Sequence, residues 1–171
     1  MDTDDRIRKL ANWYYSRMKW DERSNGNKFV KFECGDDKPA EERCRALALD
    51  AHSDMLPDDW RYGFICEALS AICDASNLDE IELEADIYNH ELTEWVGSHG
   101  HRPSYCDDAV SEGLCDGSDM INTLQCGQYM EKREVLGAVL AYLRNEAEEE
   151  EQAEEEAEAE REAAEEAAEQ E

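Results

Sequence analysis

Apolar positions in this chain fall mostly at helical spacing. Over residues 5–20, Ile7, Leu10, Ala11, Tyr14 and Met18 recur every three or four positions, the stripe of an amphipathic helix, and Asp2, Thr3 and Asp4 stand where an N-cap belongs. Residues 24–27 read as a turn. Residues 28–34 then alternate, so that Val30, Phe32 and Cys34 share one face. This is the one strand signal in the chain, and it fits either a strand whose partner the pattern does not identify or an extended connector. Asp37 and Pro39 supply a cap and a first-turn proline for a second helix through Arg45, Leu47 and Leu49 to about residue 53. Pro57 opens a third, with Trp60, Phe64, Ala68 and Ile72 in one stripe flanked by Ile65 and Leu69.

A fourth helix is expected over residues 79–96, turning Ile81, Ala85, Tyr88, Leu92 and Trp95 inward and Glu80, Glu84, Glu91 and Glu94 outward. Residues 97–103 break the pattern, a short helix is expected over 104–112, and Gly113 and Gly117 bracket a loop. From Ser118 helical spacing resumes, is weakened by Gly127, and runs on through Met130, Leu136, Val139, Leu140 and Leu143. Beyond Asn145 nothing larger than Ala is available for burial. There the like charges of Glu150 and Glu154, and of Glu158 and Glu162, stand four apart, which opposes the high helix propensity of Glu and Ala. The expected tail is a fraying extension of the last helix that packs against nothing.

The expected fold is therefore mainly α: a compact bundle of about five to six helices, at most one short strand or hairpin near residues 28–34, and an acidic helical or disordered C-terminal tail. A chain of 171 residues suits one core. The division expected is a single helical domain over 1–145 and a Glu/Ala-rich low-complexity tail over 146–171.

Charge adds what periodicity cannot. The chain holds 17 Lys and Arg against 45 Asp and Glu, a net charge of −28. Residues 1–45 are nearly balanced, with 11 basic and 10 acidic side chains, whereas residues 46–131 hold only Arg61 and Arg102 against 19 acidic groups. The tail sets 15 Glu against Arg161. Such a field repels nucleic-acid phosphates and anionic membranes and attracts basic protein surfaces. Direct nucleic-acid binding and membrane association are accordingly not expected. Adaptation to a high-salt cytoplasm is the plainer reading of an acidic surface, and seven cysteines sit poorly with it. The first residues lack the basic start and apolar run of a secretory signal, and the odd, irregularly spaced cysteines suit a reducing cytoplasm.

Candidate chemistry is sparse. His99, His101, Cys106, Cys115 and Cys126 are ligand types that zinc accepts, which makes a small zinc-dependent enzyme or metal-binding protein one alternative, but no short Cys-x-x-Cys or His-x-x-x-His chelate pins two of them. Cys66 and Cys73, seven apart on the third helix, read as core packers, with a nucleophilic cysteine served by His52 or His90 as the other reading. His52, Asp54, Asp58 and Asp59 surround a proline turn that offers oxygen ligands to a divalent cation, but capping by Ser53 or Asp54 and dipole compensation by Asp58 and Asp59 are the preferred explanation of the same residues. There is no phosphate-binding glycine loop, nucleophile elbow or His-Glu-x-x-His. The expectation is a protein without enzymatic activity and without a cofactor.

The acidic pattern itself remains. Carboxylates three and four apart on a helix form rows about 5–6 Å apart, comparable to the phosphates of a nucleic-acid strand. The candidate partner-binding set is Asp58, Asp59, Glu80, Glu84, Glu91, Glu94, Asp107, Asp108, Asp116 and Asp119.

Residues 56–69, Leu-Pro-Asp-Asp-Trp-Arg-Tyr-Gly-Phe-Ile-Cys-Glu-Ala-Leu, resemble a family of small acidic proteins encoded by bacteriophages and other mobile elements. The likeness continues through Asp86-Ile87-Tyr88, Leu92-Thr93-Glu94-Trp95, Tyr105-Cys106-Asp107-Asp108-Ala109 and Gly127-Gln128, over about residues 46–143. It implies no catalytic residue. It does imply a host-directed interaction protein more than a metabolic enzyme. Together with the acidic surface, the expectation is a protein of the bacterial host cytoplasm that occludes a basic, nucleic-acid-binding surface of a host protein, with imitation of DNA and inhibition of a host defence left open as forms of it. A structural or assembly accessory of a phage particle is the further alternative.

Overall fold

Asp2 opens the first helix as its side chain accepts a 2.7 Å hydrogen bond from the amide of Asp5, which satisfies one of the free N–H groups of the first turn. The computed structural model describes residues 1–22, 24, 26, 28–51, 58–81 and 120–170; the side chains of residues 28, 58–61 and 120–131 lie outside that description. Helix α1 spans Thr3–Tyr15 and buries Ile7, Leu10, Ala11 and Tyr14. At its far end the Ser16 hydroxyl and the Arg17 guanidinium both donate to the carbonyl of Trp13, at 2.9 and 2.8 Å, closing off a carbonyl the ending helix leaves free.

The helix expected over residues 5–20 is therefore too long. Strand β1, Met18–Glu22, pairs antiparallel with β2, Lys28–Phe32, in the register Met18 with Phe32 and Trp20 with Val30. The amide of Glu33 donates to the carbonyl of Arg17 at 2.8 Å and extends the pairing by one step. Met18 is buried as the helical stripe requires, but from a strand. Gly26, at φ +87°, supplies the left-handed backbone in the connection. The hairpin near residues 28–34 is real, and its missing partner is the segment that the helical pattern had absorbed.

Helix α2, Lys38–Asp50, begins as expected, with the Asp37 carboxylate accepting from the amide of Ala40 at 3.1 Å and Pro39 in the first turn. It stops at Asp50, short of residue 53. Helix α3, Asp58–Asp74, buries Phe64, Ile65, Ala68, Leu69 and Ile72 completely. The helix expected from residue 79 does not start there: Leu78–Glu80 form a single 3-10 turn and Ile81 is extended. The remainder of that expected helix, and the short helix expected over 104–112, lie outside the described residues. Helix α4 runs unbroken from Met120 to Glu169, through Gly127 and on through the Glu/Ala tail.

The described residues thus hold four α-helices, one 3-10 turn and one hairpin, a mainly α architecture with fewer helices than the five to six expected. Helices α1, α3 and α4 pack on one another, β2 lies against α3, and α2 closes against α3 and α4. Their shared core joins Ile7, Tyr14, Leu47, Phe64, Leu69 and Leu143. Edge-on aromatic contacts link Tyr14 to Phe32 and Phe32 to Tyr62, with ring centroids 6.4 and 6.1 Å apart, tying α1, β2 and α3 together. No described helix is long and apolar enough to cross a membrane.

Candidate functional site

Helix α4 changes character along its length. Val135, Leu136, Val139, Leu140 and Leu143 place their side chains in the core, and Ala147 continues the stripe with no exposed surface. From residue 148 to 170 every residue is exposed. The boundary is marked by an ionic cluster. The Glu146 carboxylate accepts from the Tyr14 hydroxyl at 2.5 Å and from the Arg43 guanidinium at 3.3 and 3.2 Å, so one acidic side chain joins α1, α2 and α4. Burial, together with the Glu146 carboxylate, pushes the Tyr14 hydroxyl well above its ordinary value, so it stays a donor throughout the range in which the protein is handled. Arg43 also lies over the Trp13 ring, 4.2 Å from its centroid, and Arg17 lies 3.6 Å from the same ring.

Two turns further out, Arg6 on α1 makes a two-pronged contact with Glu154, its Nη1 donating to Oε1 at 3.1 Å and its Nη2 to Oε2, and its Nη1 lies 3.9 Å from Glu150. The hydrogen bond from Arg6 holds the Glu154 carboxyl below its ordinary range. Glu146, Glu150 and Glu154 stand four apart and so occupy one face of α4, the face turned to the basic residues of α1 and α2. A cleft of about 670 Å³ lies along this junction, bordered by Arg6, Lys9, Trp13, Arg43, Glu150 and Glu154. The tail expected to touch nothing is thus tied to α1 and α2 by ion pairs over its first two turns, because the near-neutral N-terminal region supplies the cations.

Past this anchor α4 is a line of carboxylates. Residues 148–169 hold 13 Glu and one Arg. At 1.5 Å per residue they span roughly 33 Å, or about one net negative charge per 2.8 Å. Double-stranded DNA carries about one charge per 1.7 Å of axis and a single strand about one per 3.4 Å, so the helix falls between the two.

The sequence-derived acidic set divides differently. Asp58 and Asp59 are the first two residues of α3, and their side chains lie outside the described residues. Glu80 is exposed on the 3-10 turn, and Ile81 after it is extended. Its neighbour Asp79 pairs with Arg144 of α4 at 3.3 Å. Glu84, Glu91, Glu94, Asp107, Asp108, Asp116 and Asp119 lie outside the described residues, as do His99, His101, Cys106 and Cys115 and the side chain of Cys126. Among the described residues no group of three or more His, Cys, Asp and Glu side chains is placed to hold a metal ion. Cys66 is buried in the core and Cys73 packs against it, and burial raises both thiols. The residues that sequence reasoning missed are Arg6, Arg43, Glu146, Glu150 and Glu154. The four-residue spacing of those glutamates marks a common helix face, but nothing in the sequence pairs that face with Arg6 or Arg43.

One further charged group sits inside the fold. The Lys132 ammonium, with no exposed surface, lies 2.9 Å from one carboxylate oxygen of Glu67 and donates to the other at 3.2 Å, near the Phe64 ring. It fastens α3 to α4 and borders none of the clefts described. Comparison with family models, with curated proteins and with solved structures gives no match.

Proposed function

We propose that this is a non-enzymatic binding protein that occupies a basic, nucleic-acid-binding surface on another protein, with the α4 extension as its principal contact. The observation that carries the reading is the charge spacing of residues 148–169 on an unbroken helix whose base is tied to the core through Arg6 and Arg43. A fixed row of carboxylates loses less conformational freedom on binding than a flexible acidic tail does, so more of its electrostatic attraction appears as affinity. The acidic residues of 46–131 add to the same long-range field, and the resemblance over 46–143 favours a bacterial host protein as the target. Association is fast at low salt and falls steeply as salt is raised.

The test is retention of basic host proteins on the immobilised full-length chain, at low and high salt, with duplex DNA as competitor and a chain lacking residues 148–171 in parallel. Partners that are released by salt and by DNA, and that the shortened chain captures poorly, support the reading. Retention indifferent to salt, DNA and the deletion overturns it.

A further inference from the structure

Cys34 follows β2 and Cys44 lies in the middle of α2, yet their sulfur atoms are 3.7 Å apart, with the Cys34 thiol donating to Cys44. Both are free thiols. A disulfide needs the sulfurs at about 2 Å, so a closing movement of under 2 Å suffices. The segment that must move is short and contains Gly35, whose φ of +57° is left-handed. The two thiols differ in access. Cys44 is 2% exposed and Cys34 half-buried, and both border a cleft of about 220 Å³ together with Lys31, Phe32, Glu41, Arg45 and Tyr62. Burial, reinforced by the neighbouring Cys34 thiol, pushes the Cys44 thiol up to about 12, and the greater exposure of Cys34 makes it the sulfur that begins an exchange. Lys31 and Arg45 border the cleft, and their ion pairs with Asp21 and Glu41 are solvent-exposed, so both can turn to an incoming anion.

We propose that Cys34 and Cys44 form a thiol–disulfide exchange site that accepts a small anionic disulfide of the glutathione class and closes to an internal disulfide between the hairpin and α2. The Cys34 thiolate attacks one sulfur of glutathione disulfide, forming a mixed disulfide and expelling one glutathione thiolate. The Cys44 thiol then gives up its proton and attacks the Cys34 sulfur, forming the internal bond and expelling the second. The two protons lost by the protein thiols are taken up by the two departing thiolates. Two protein thiols are thereby oxidised by two electrons, and one glutathione disulfide is reduced to two glutathione molecules. The loop closed is short, and the added link is expected to raise the melting temperature by roughly 5 °C or more. This site stands independently of the acidic helix.

The full-length protein is equilibrated with mixtures of glutathione and glutathione disulfide, alkylated and peptide-mapped. The expected result is a Cys34–Cys44 linked peptide in protein that has lost two hydrogen atoms, with Cys66 and Cys73 alkylated as free thiols and the melting temperature raised. Cys44→Ser, checked for native circular dichroism, holds one glutathione on Cys34, and Cys34→Ser leaves Cys44 a free thiol. The map of the unsubstituted chain decides the matter even if a variant fails to fold. The proposal is overturned if both thiols alkylate freely at ratios that oxidise the urea-unfolded chain. It is equally overturned if Cys34 links to another cysteine or stops at the mixed disulfide.

Discussion

Along α4, residues 135–147 set Val135, Val139, Leu143 and Ala147 against the core, whereas residues 148–169 have no buried side chain. The backbone is helical in both, for different reasons. In the first stretch the helix is held by apolar burial, which would hold it even with modest propensity. In the second, Glu and Ala propensity works against like charges four apart. What tips the balance is continuity. The packed stretch supplies the costly first turns, so the acidic stretch only propagates, and Arg6 offsets part of its charge where it leaves the core.

The largest expected effect comes at the buried Lys132–Glu67 ion pair, which fastens the base of α4 to α3. Glu67→Leu takes the carboxylate from Lys132 and should cost about 3–5 kcal/mol in urea unfolding, and Glu67→Leu with Lys132→Met should recover most of it. If the double variant is no more stable than the single one, Lys132 is held by something other than this pair. Leu143→Ala should follow at about 2–5 kcal/mol, whereas Glu158→Gln, beyond the anchor, should stay within about 0.5 kcal/mol. Equal losses at the two sites would show that the extension is packed as firmly as the base.

Acidity separates the two stretches further. Burial raises the Glu67 carboxyl, with Lys132 opposing, so the folded state binds this proton more tightly than the unfolded one. Its contribution to stability therefore falls as pH rises from the ordinary carboxyl range through the raised value. Glu154 has the opposite sign: its carboxyl is lowered by the hydrogen bond from Arg6, and its contribution is lost as pH falls below the ordinary range through that lowered value. Urea midpoints across pH should lose the first slope in Glu67→Gln and the second in Arg6→Ala. At neutral pH Arg6→Ala itself should change global stability little, and less still at high salt, and should be read by faster amide exchange over residues 148–158. Exchange unchanged there would mean that the extension needs no anchor.

Much of this was legible in the chain. The stripes of α1 and α3 and the Asp37 cap follow from residue spacing alone, because burial and capping leave local traces. Met18 misled for the same reason: a buried residue four positions after Tyr14 satisfies the helical period even when it belongs to a strand, and the exposed Lys19, Asp21 and Glu22 around Trp20 give that strand little alternation. The anchoring of α4 was not legible, since Arg6 and Glu154 are 148 residues apart and no local pattern joins them. Nor was the meeting of Cys34 and Cys44, which depends on how the hairpin turns back onto α2.

The last anchored residue of α4, Glu154, is 15 positions before Glu169, a distance of roughly 22 Å along the helix. At physiological ionic strength the Debye length is about 8 Å, so the end of the helix stands nearly three screening lengths from its anchor on the body of the molecule. In ordinary buffer the tip of the helix and its anchor behave electrically as two objects on one backbone. A basic surface approaching the tip senses the carboxylates around it and little of the ion pairs at the anchor, and only in dilute salt do the two fields merge into one.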